Sequence, residues 1–179
     1  MLDIIKILEN GGVGVIPTDT LYGLVAQALN KQAVSRVYRL KQRSVHKPFI
    51  ILISSYEDLA VFGIKMDRNT ESLLKKYWPG PVSIILLSTL EKFRYLDRGS
   101  EGLAFRLPKK KKLLEILKKT GPLIAPSANP ENKPPAKNIG VARKYFGDKV
   151  DFYLSGGTLN SKPSSLIRIK GENIEILRK

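Results

Sequence analysis

The sequence contains no cysteine and only one histidine, His46. Without cysteine the chain has neither a disulfide framework nor a thiolate nucleophile. A single histidine nearly excludes a zinc site that is built from protein ligands alone. We therefore expect no resident metal site, and we expect any metal ion to arrive with a substrate.

Long apolar runs are also missing. No segment approaches the roughly 18 uncharged apolar residues that a membrane helix requires, and the N-terminus lacks the basic-then-apolar pattern of a signal peptide. The 179 residues, of which 42% are hydrophobic, suffice for one sizeable core. We expect a single cytoplasmic domain over residues 1–179 that does not contact a membrane.

Acidic residues are scarce relative to basic ones. The chain has 16 Asp and Glu against 31 Lys and Arg, which gives a formal net charge of +15. Such a charge attracts polyanions without implying sequence-specific binding. An RNA-binding surface and an ordinary lysine-rich, soluble surface are both compatible with this charge.

Strand-like and helix-like patterns alternate along the chain, which predicts an α/β fold with a mixed sheet and flanking helices. The segment 88–102 is predicted to be a loop. Helices are predicted over 3–9, from a cap at Asn30 to Lys41, and over 55–62, 67–78, 109–119 and 138–146. Strands are predicted at 13–16, 48–53, 82–87, 103–108, 123–125 and from 152, and a hairpin at 166–169 and 174–177.

Polar side chains stand at the ends of three predicted strands. Thr18–Thr20 follow the first strand, which Pro17 must end because proline cannot donate to a sheet. Arg106 lies near the end of another strand, and Ser127 and Asn129 follow a third. Open α/β sheets bind ligands at strand ends, so these groups predict a ligand site.

Two cations, Lys41 and Arg43, leave the end of the helix that Asn30 begins. An ammonium and a guanidinium fork bind phosphate oxygens, so the ligand is predicted to carry phosphate. No Walker sequence, kinase motif set or Ser-His-Asp arrangement occurs. Each polar element alone is more typical of a turn, a solvated helix end or, for Arg106, an edge strand, and only their joint order indicates function.

That joint order resembles the YrdC-like family of threonylcarbamoyl-AMP synthases. The family pattern Pro-Thr-Asp/Glu-Thr-x-Tyr-Gly-Leu stands at 17–24, Lys-x-Arg at 41–43 and Ser-x-Asn at 127–129. The resemblance covers nearly the whole chain and indicates the short, single-domain type. Further matches are Lys47-Pro48, residues 78–81, Arg106 before Pro108, Gly156-Gly157 and Ser164-Ser165.

The resemblance implies a twisted, concave α/β domain that condenses L-threonine, bicarbonate and ATP into threonylcarbamoyl-AMP and pyrophosphate. Mg²⁺ would enter with ATP, and a downstream threonylcarbamoyl transferase would use the product to modify adenosine in tRNA. Catalysis would rest on positioning and electrostatics, with Lys41 and Arg43 as the catalytic cations, no assigned general base, and Asp19 at most as a local orienting group.

The resemblance also implies the ligand contacts. Arg106 is the best candidate for the threonine carboxylate because it offers a bidentate fork. The implied ATP ligands are Lys41, Arg43, Lys47, Asn129 and Arg178. The implied threonine ligands are Thr20, Arg106, Ser127 and Ser164.

Two other functions are weighed against the synthase. The first is a non-catalytic YrdC-like module that binds RNA or tRNA through its basic surface. The second is carbamoyl transfer, as in the YrdC-like domain of HypF, which is disfavoured because the acylphosphatase and zinc-finger segments of that protein are absent.

The chain departs from the family at Lys137, where members often have serine or threonine, and at Leu52, near which some have histidine.

Overall fold

The computed structural model describes residues 2–88, 90–100, 102–170 and 173–179. Helices span α1 Leu2–Glu9, α2 Lys31–Lys41, α3 Asp58–Val61, α4 Arg68–Tyr77, α5 Arg94–Asp97, α6 Lys111–Thr120 and α7 Ile139–Phe146, with 3-10 turns at Glu91–Phe93 and Gly147–Lys149. Strands span β1 Gly14–Pro17, β2 Tyr22–Gln27, β3 Ile50–Leu52, β4 Val82–Leu86, β5 Leu103–Arg106, β6 Leu123–Ile124, β7 Phe152–Tyr153, β8 Ser165–Lys170 and β9 Asn173–Arg178.

Within the described residues, the strands form one sheet in the order β7-β1-β2-β6-β3-β5-β4-β8-β9. Three neighbouring pairs are parallel, namely β1 with β7, β3 with β5 and β4 with β8. The other pairs are antiparallel. The predicted α/β class with a mixed sheet is therefore confirmed.

Both faces of the sheet carry apolar cores, because successive residues of a strand point to opposite faces. Val15 and Ile51 belong to the larger cluster, whereas their neighbours Ile16 and Leu52 belong to the smaller one. The smaller cluster lies under α1 and α6, which supply Leu8, Leu113, Ile116 and Leu117. The larger cluster includes the buried apolar residues of α2, α4 and α7.

The face under α1 and α6 is only partly covered. Ile50, Ile85, Ala104 and Leu166 belong to this same face by strand alternation, and all four line a cavity. Their neighbours Ile51, Ile84, Phe105 and Ile167 pack into the larger core on the opposite face. The sheet thus supplies the floor of a cleft beside the two helices.

One strand was not predicted from the sequence. Residues 18–21 form the turn of a hairpin in which β1 pairs antiparallel with β2, with Pro17 opposite Tyr22. The run Tyr22–Gln27 is almost entirely buried, so it lacks the alternation that identifies a half-exposed strand. The Thr18–Thr20 motif therefore lies in the turn between two antiparallel strands.

The segment predicted as a loop at 88–102 contains ordered structure. Its 3-10 turn and α5 bury Phe93 and Leu96, and the Tyr95 hydroxyl donates to the Ala28 carbonyl at 2.8 Å. The predicted hairpin near the C-terminus is present as β8 and β9, although its tip at Gly171 and Glu172 lies outside the described residues. No helix in the described part of the chain has the length and apolarity needed to cross a membrane.

Phe62 packs between two other aromatic rings in the larger core. Its ring centroid lies 5.0 Å from that of Phe93 and 5.1 Å from that of Phe105, and the residue is fully buried. Because Phe62→Ala leaves a cavity among these rings, we expect it to lower the free energy of unfolding by about 3–5 kcal/mol in urea titrations. The control Leu87→Ala alters a residue that is 69% exposed and should change it by less than about 0.5 kcal/mol. Equal effects of the two changes would contradict this packing.

Candidate functional site

A cavity of about 350 Å³ lies over the exposed part of the sheet face. Its floor is apolar, with Ile50, Ile85, Ala104 and Leu166. None of the described residues that line it is acidic. Its polar lining consists of Thr18, Thr20, Arg43, Ser100, Arg106, Ser127, Ser164, Arg168 and Arg178.

The turn between β1 and β2 presents two hydroxyls to the cavity. The Thr18 hydroxyl donates to the Leu21 carbonyl at 2.6 Å and accepts from the Thr20 amide at 3.1 Å. The hydroxyl oxygens of Thr18 and Thr20 are 3.2 Å apart. These local bonds are typical of Ser/Thr turns and fix the position of Thr20.

Arg106, at the end of β5, is buried beside this turn. Its side chain is 5% exposed, and Nη1 donates to the Thr20 hydroxyl at 3.1 Å. Nη2 lies 3.0 Å from Asp19 Oδ1. Burial lowers the pKa of Arg106, the Asp19 carboxylate opposes that shift, and repulsion from Arg178 adds to it.

Two further guanidinium groups face the cavity. Arg43 donates from Nε to the Lys47 carbonyl at 3.2 Å and stacks 5.6 Å from the centroid of Phe49. Arg178 donates from Nε to the Ser164 carbonyl at 3.0 Å. The pKa of Arg178 is lowered first by burial and then by repulsion from Arg43. Guanidinium groups that repel one another at a shared cavity favour an anionic ligand.

Two serine hydroxyls complete this part of the lining. Ser164 is 3% exposed, and its hydroxyl lies 3.0 Å from the Ser83 hydroxyl and accepts from Arg178 Nη2 at 3.3 Å. The Ser127 hydroxyl donates to Asn129 Oδ1 at 2.6 Å. Six residues predicted as ligands therefore line one cavity, namely Thr20, Arg43, Arg106, Ser127, Ser164 and Arg178.

Lys41 does not line the cavity. It is 2% exposed, and its ammonium donates to the carbonyls of Ser127 and Asn129 at 2.6 and 2.7 Å, with a long 3.5 Å contact to Asn129 Oδ1. Burial, followed by repulsion from Arg43, lowers its pKa to about 7. The prediction that Lys41 binds phosphate stays a prediction, while the observed contacts are all with protein oxygens.

Two other predicted ATP ligands also lie outside the lining. Lys47 forms an ion pair at 2.6 Å with Glu131. Asn129 donates from its side-chain nitrogen to the carbonyls of Pro130 and Lys133 at 3.0 and 2.6 Å. Asn129 thereby holds the loop that follows it, and its role in binding ATP stays a prediction.

Sequence reasoning missed several residues of this region, among them Ser83, Arg168 and Lys110. Ser83 is fully buried beside Ser164, and Arg168 lines the cavity two positions after Leu166 on β8. Strand alternation from Ser164 would have placed Arg168 on the same face. Lys110 donates to the carbonyls of Pro17 and Thr18, but it lies in a run of four lysines that gives no signal for one of them.

The two departures from the family differ in their surroundings. Leu52 is fully buried in the smaller core, whereas Lys137 is exposed and its carbonyl accepts from the Leu159 amide at 2.8 Å.

In the part of the chain that the structure describes, no three His, Asp or Glu side chains lie close enough to bind a metal ion.

Comparison with known proteins agrees with this geometry. Residues 6–179 match the family model Sua5/YciO/YrdC, described as telomere recombination. A relative named threonylcarbamoyl-AMP synthase from Pyrococcus abyssi is 35% identical over 154 residues, which is 84% of this chain and 44% of that protein. One with the same name from Marinobacter nauticus is 32% identical over 162 residues, or 89% of this chain and 85% of that protein.

A solved structure supports the same relationship. The crystal structure of P. abyssi Sua5 complexed with L-threonine superposes with a TM-score of 0.91 at 30% identity, covering 98% of this chain and 52% of that one. This chain thus spans about half the length of the Pyrococcus protein and most of the Marinobacter protein. Sequence and fold agree over nearly all residues, and the chain belongs to the Sua5/YciO/YrdC family.

Proposed function

We propose that the chain is an L-threonylcarbamoyladenylate synthase, a nucleotidyltransferase that joins L-threonine, bicarbonate and ATP. The observation that carries this proposal is the buried fork of Arg106 beside the Thr20 hydroxyl. A guanidinium with 5% exposure and a neighbouring hydroxyl suit a carboxylate that arrives without its water shell. The remaining lining then receives the nucleotide.

Arg43 and Arg178 are assigned to the phosphates of ATP. Both guanidinium groups line the cavity, and each is anchored by a backbone carbonyl at 3.2 or 3.0 Å. Anchored cations lose little conformational entropy when they bind an anion, and they need not reorganise as charge develops on the α-phosphate. Ser127 and Ser164 supply hydroxyls beside these cations.

The reaction balances without a covalent protein nucleophile. The threonine amine adds to the carbon of bicarbonate and water leaves, which gives a carbamate. A carbamate oxygen then attacks the α-phosphorus of ATP, the bond to the bridging oxygen breaks, and pyrophosphate departs. The protein's contribution is to align the carbamate with the α-phosphorus and to stabilise the negative charge of the transition state.

Mg²⁺ is proposed to enter bound to ATP, as part of that substrate, and to neutralise charge on the leaving pyrophosphate. The lining residues suit this arrangement, because arginine and serine side chains hold phosphate oxygens and leave the metal to the nucleotide. The unstable product is proposed to pass to a threonylcarbamoyl transferase that modifies tRNA.

The relatives support this assignment. Those from P. abyssi and M. nauticus are both named threonylcarbamoyl-AMP synthase, and the Sua5 structure is of a complex with L-threonine. The Marinobacter protein is matched over 85% of its length, so the similarity extends over most of a chain with this name. The name indicates an enzyme, which favours catalysis over the RNA-binding module.

The decisive experiment measures pyrophosphate release from ATP and Mg²⁺ with threonine and bicarbonate each present or omitted. We expect release only when both are present. No release from folded protein that binds ATP would contradict the synthase and favour the RNA-binding module. That module also predicts RNA affinity that falls steeply with salt, because the charge of +15 would act through phosphate contacts.

Substitutions at the proposed threonine and ATP contacts should change the KM values of different substrates. We expect Arg106→Ala to raise the KM for threonine at least about 10-fold with a smaller change for ATP, because a buried charge-assisted pair is lost. Arg43→Ala should do the reverse. The matched control is Arg94→Ala, whose side chain is 64% exposed on α5 and should leave both KM values unchanged. Equal effects of Arg106→Ala on both substrates would contradict the assignment.

Lys41 is proposed to act through the Ser127–Asn129 turn. Its ammonium joins the end of α2 to two carbonyls of that turn, which lie 86 and 88 residues away in sequence. The Glu131 amide donates to the Lys41 carbonyl at 2.7 Å and closes the same link. Lys41 thus fixes the place of Ser127 relative to Arg43, two residues further along the chain.

Lys41→Met should abolish a pH dependence of stability. The pKa of Lys41 is about 7 in the folded protein against its ordinary 10.5, so the unfolded chain binds more protons between these values. The free energy of unfolding should therefore rise with pH above about 7, by up to about 1.4 kcal/mol per pH unit. Urea titrations at pH 7 and about pH 9.5 compare native protein, Lys41→Met and the exposed control Lys65→Met. A rise of the same size in Lys41→Met would contradict the prediction.

A further inference from the structure

We infer that Lys110 is a positioning residue that keeps Arg106 available for an anion, because it shares the charge of Asp19 with Arg106. Asp19 orients the guanidinium, and Lys110 prevents that carboxylate from neutralising it. This inference rests on the proposed function only for the identity of the anion, which the proposed function takes to be the threonine carboxylate.

Arg106 is already paired with a carboxylate of the protein, which opposes the binding of a second one. Its Nη2 is 3.0 Å from Asp19 Oδ1, and the Asp19 side chain is only 11% exposed. An arginine that is paired with one carboxylate forms a neutral unit, and a second carboxylate must then compete with the first. Asp19 and Arg106 alone would therefore make a poor anion site.

The Asp19 carboxylate is held by charge more than by hydrogen bonds. Neither of its oxygens accepts a hydrogen bond from any residue that the structure describes, although both are buried. A buried carboxylate without donors depends on nearby cations for its stability. Arg106 is such a cation, and the Lys110 ammonium is held at the carbonyls of the two residues that precede Asp19. Burial lowers the pKa of Arg106 and of Lys110, and attraction to Asp19 opposes that shift in both.

Lys110 is fixed in place by the turn that carries Asp19. Its ammonium donates to the carbonyls of Pro17 and Thr18, at 3.2 Å each. It stands four residues after Arg106, so it joins the segment following β5 to the hairpin turn of β1 and β2. With two cations and one carboxylate, the cluster of Asp19, Arg106 and Lys110 carries a formal charge of +1.

The neighbouring lysines do not share this position. Lys109, Lys111 and Lys112 are exposed, whereas Lys110 is half-buried. Lys109→Gln therefore removes the same charge from the adjacent residue without touching the turn. Lys110→Gln removes the charge but keeps a side-chain amide that can donate to the same carbonyls.

The test is calorimetric binding of L-threonine to four proteins: native, Lys110→Gln, Lys109→Gln and the double variant Asp19→Asn with Lys110→Gln. We expect Lys110→Gln to weaken binding about 10-fold and Lys109→Gln less than about 2-fold. The double variant restores the charge of +1, so it should return to within about 3-fold of native. Affinity for ATP should change less than affinity for threonine in each variant.

Two results would overturn the inference. One is native affinity in Lys110→Gln. The other is loss of binding in Lys110→Gln that the double variant does not recover, because a merely structural role would not be rescued by removing the competing carboxylate.

Inorganic sulfate separates this inference from the proposed function, since sulfate tests the anion site without assuming an amino acid. We expect sulfate to raise the melting temperature of native protein, Lys109→Gln and the double variant more than that of Lys110→Gln. If no protein binds threonine but this sulfate pattern holds, the proposed function fails and the inference stands. If sulfate protects all four proteins equally, the inference fails.

Discussion

The buried guanidinium of Arg106 is the constraint on which the site depends. A charge with 5% exposure requires compensating groups, and the hairpin turn supplies them through Asp19 and the Thr20 hydroxyl. The Arg106 carbonyl accepts from the Ile53 amide at 3.0 Å, so the same residue is tied to the segment after β3. Three separate parts of the chain must therefore meet correctly before Arg106 can be buried, which couples the fold to the candidate site.

Lys41 imposes a second constraint of the same kind. It is 2% exposed and joins the end of α2 to the Ser127–Asn129 turn, just as Arg106 joins β5 to the hairpin turn. Both links cross 86 residues of sequence. Buried donors at such links place hydroxyls accurately, because breaking either link would leave N–H groups inside the protein without acceptors. The two cations of the Lys-x-Arg motif therefore lie in different places: Lys41 is buried in the protein, and Arg43 lines the cavity.

The sequence located the site better than it located the details of the site. Alternating strand and helix patterns predicted the α/β fold, and strand-end and helix-end signals pointed to Thr20, Arg43, Arg106 and Ser127. The family resemblance added Ser164 and Arg178, and all six residues line one cavity. The sequence did not predict β2, since a strand buried on both faces has no alternation. The motif also did not predict that Lys41 is buried, because its burial depends on carbonyls that are distant in sequence. Composition likewise conceals Lys110 among its exposed neighbours.

The location of positive charge matters more than its total. Most lysines of α6 and its flanks are exposed, where water and salt weaken their interactions. Arg43, Arg106 and Arg178 instead share one cavity, where Arg178 is repelled by Arg43 and in turn repels Arg106. An anion placed there would offset this repulsion, so part of its binding free energy would come from relieving a repulsion that the fold imposes. In the proposed complex, the scaffold that holds these cations in place therefore contributes to the affinity for the anion.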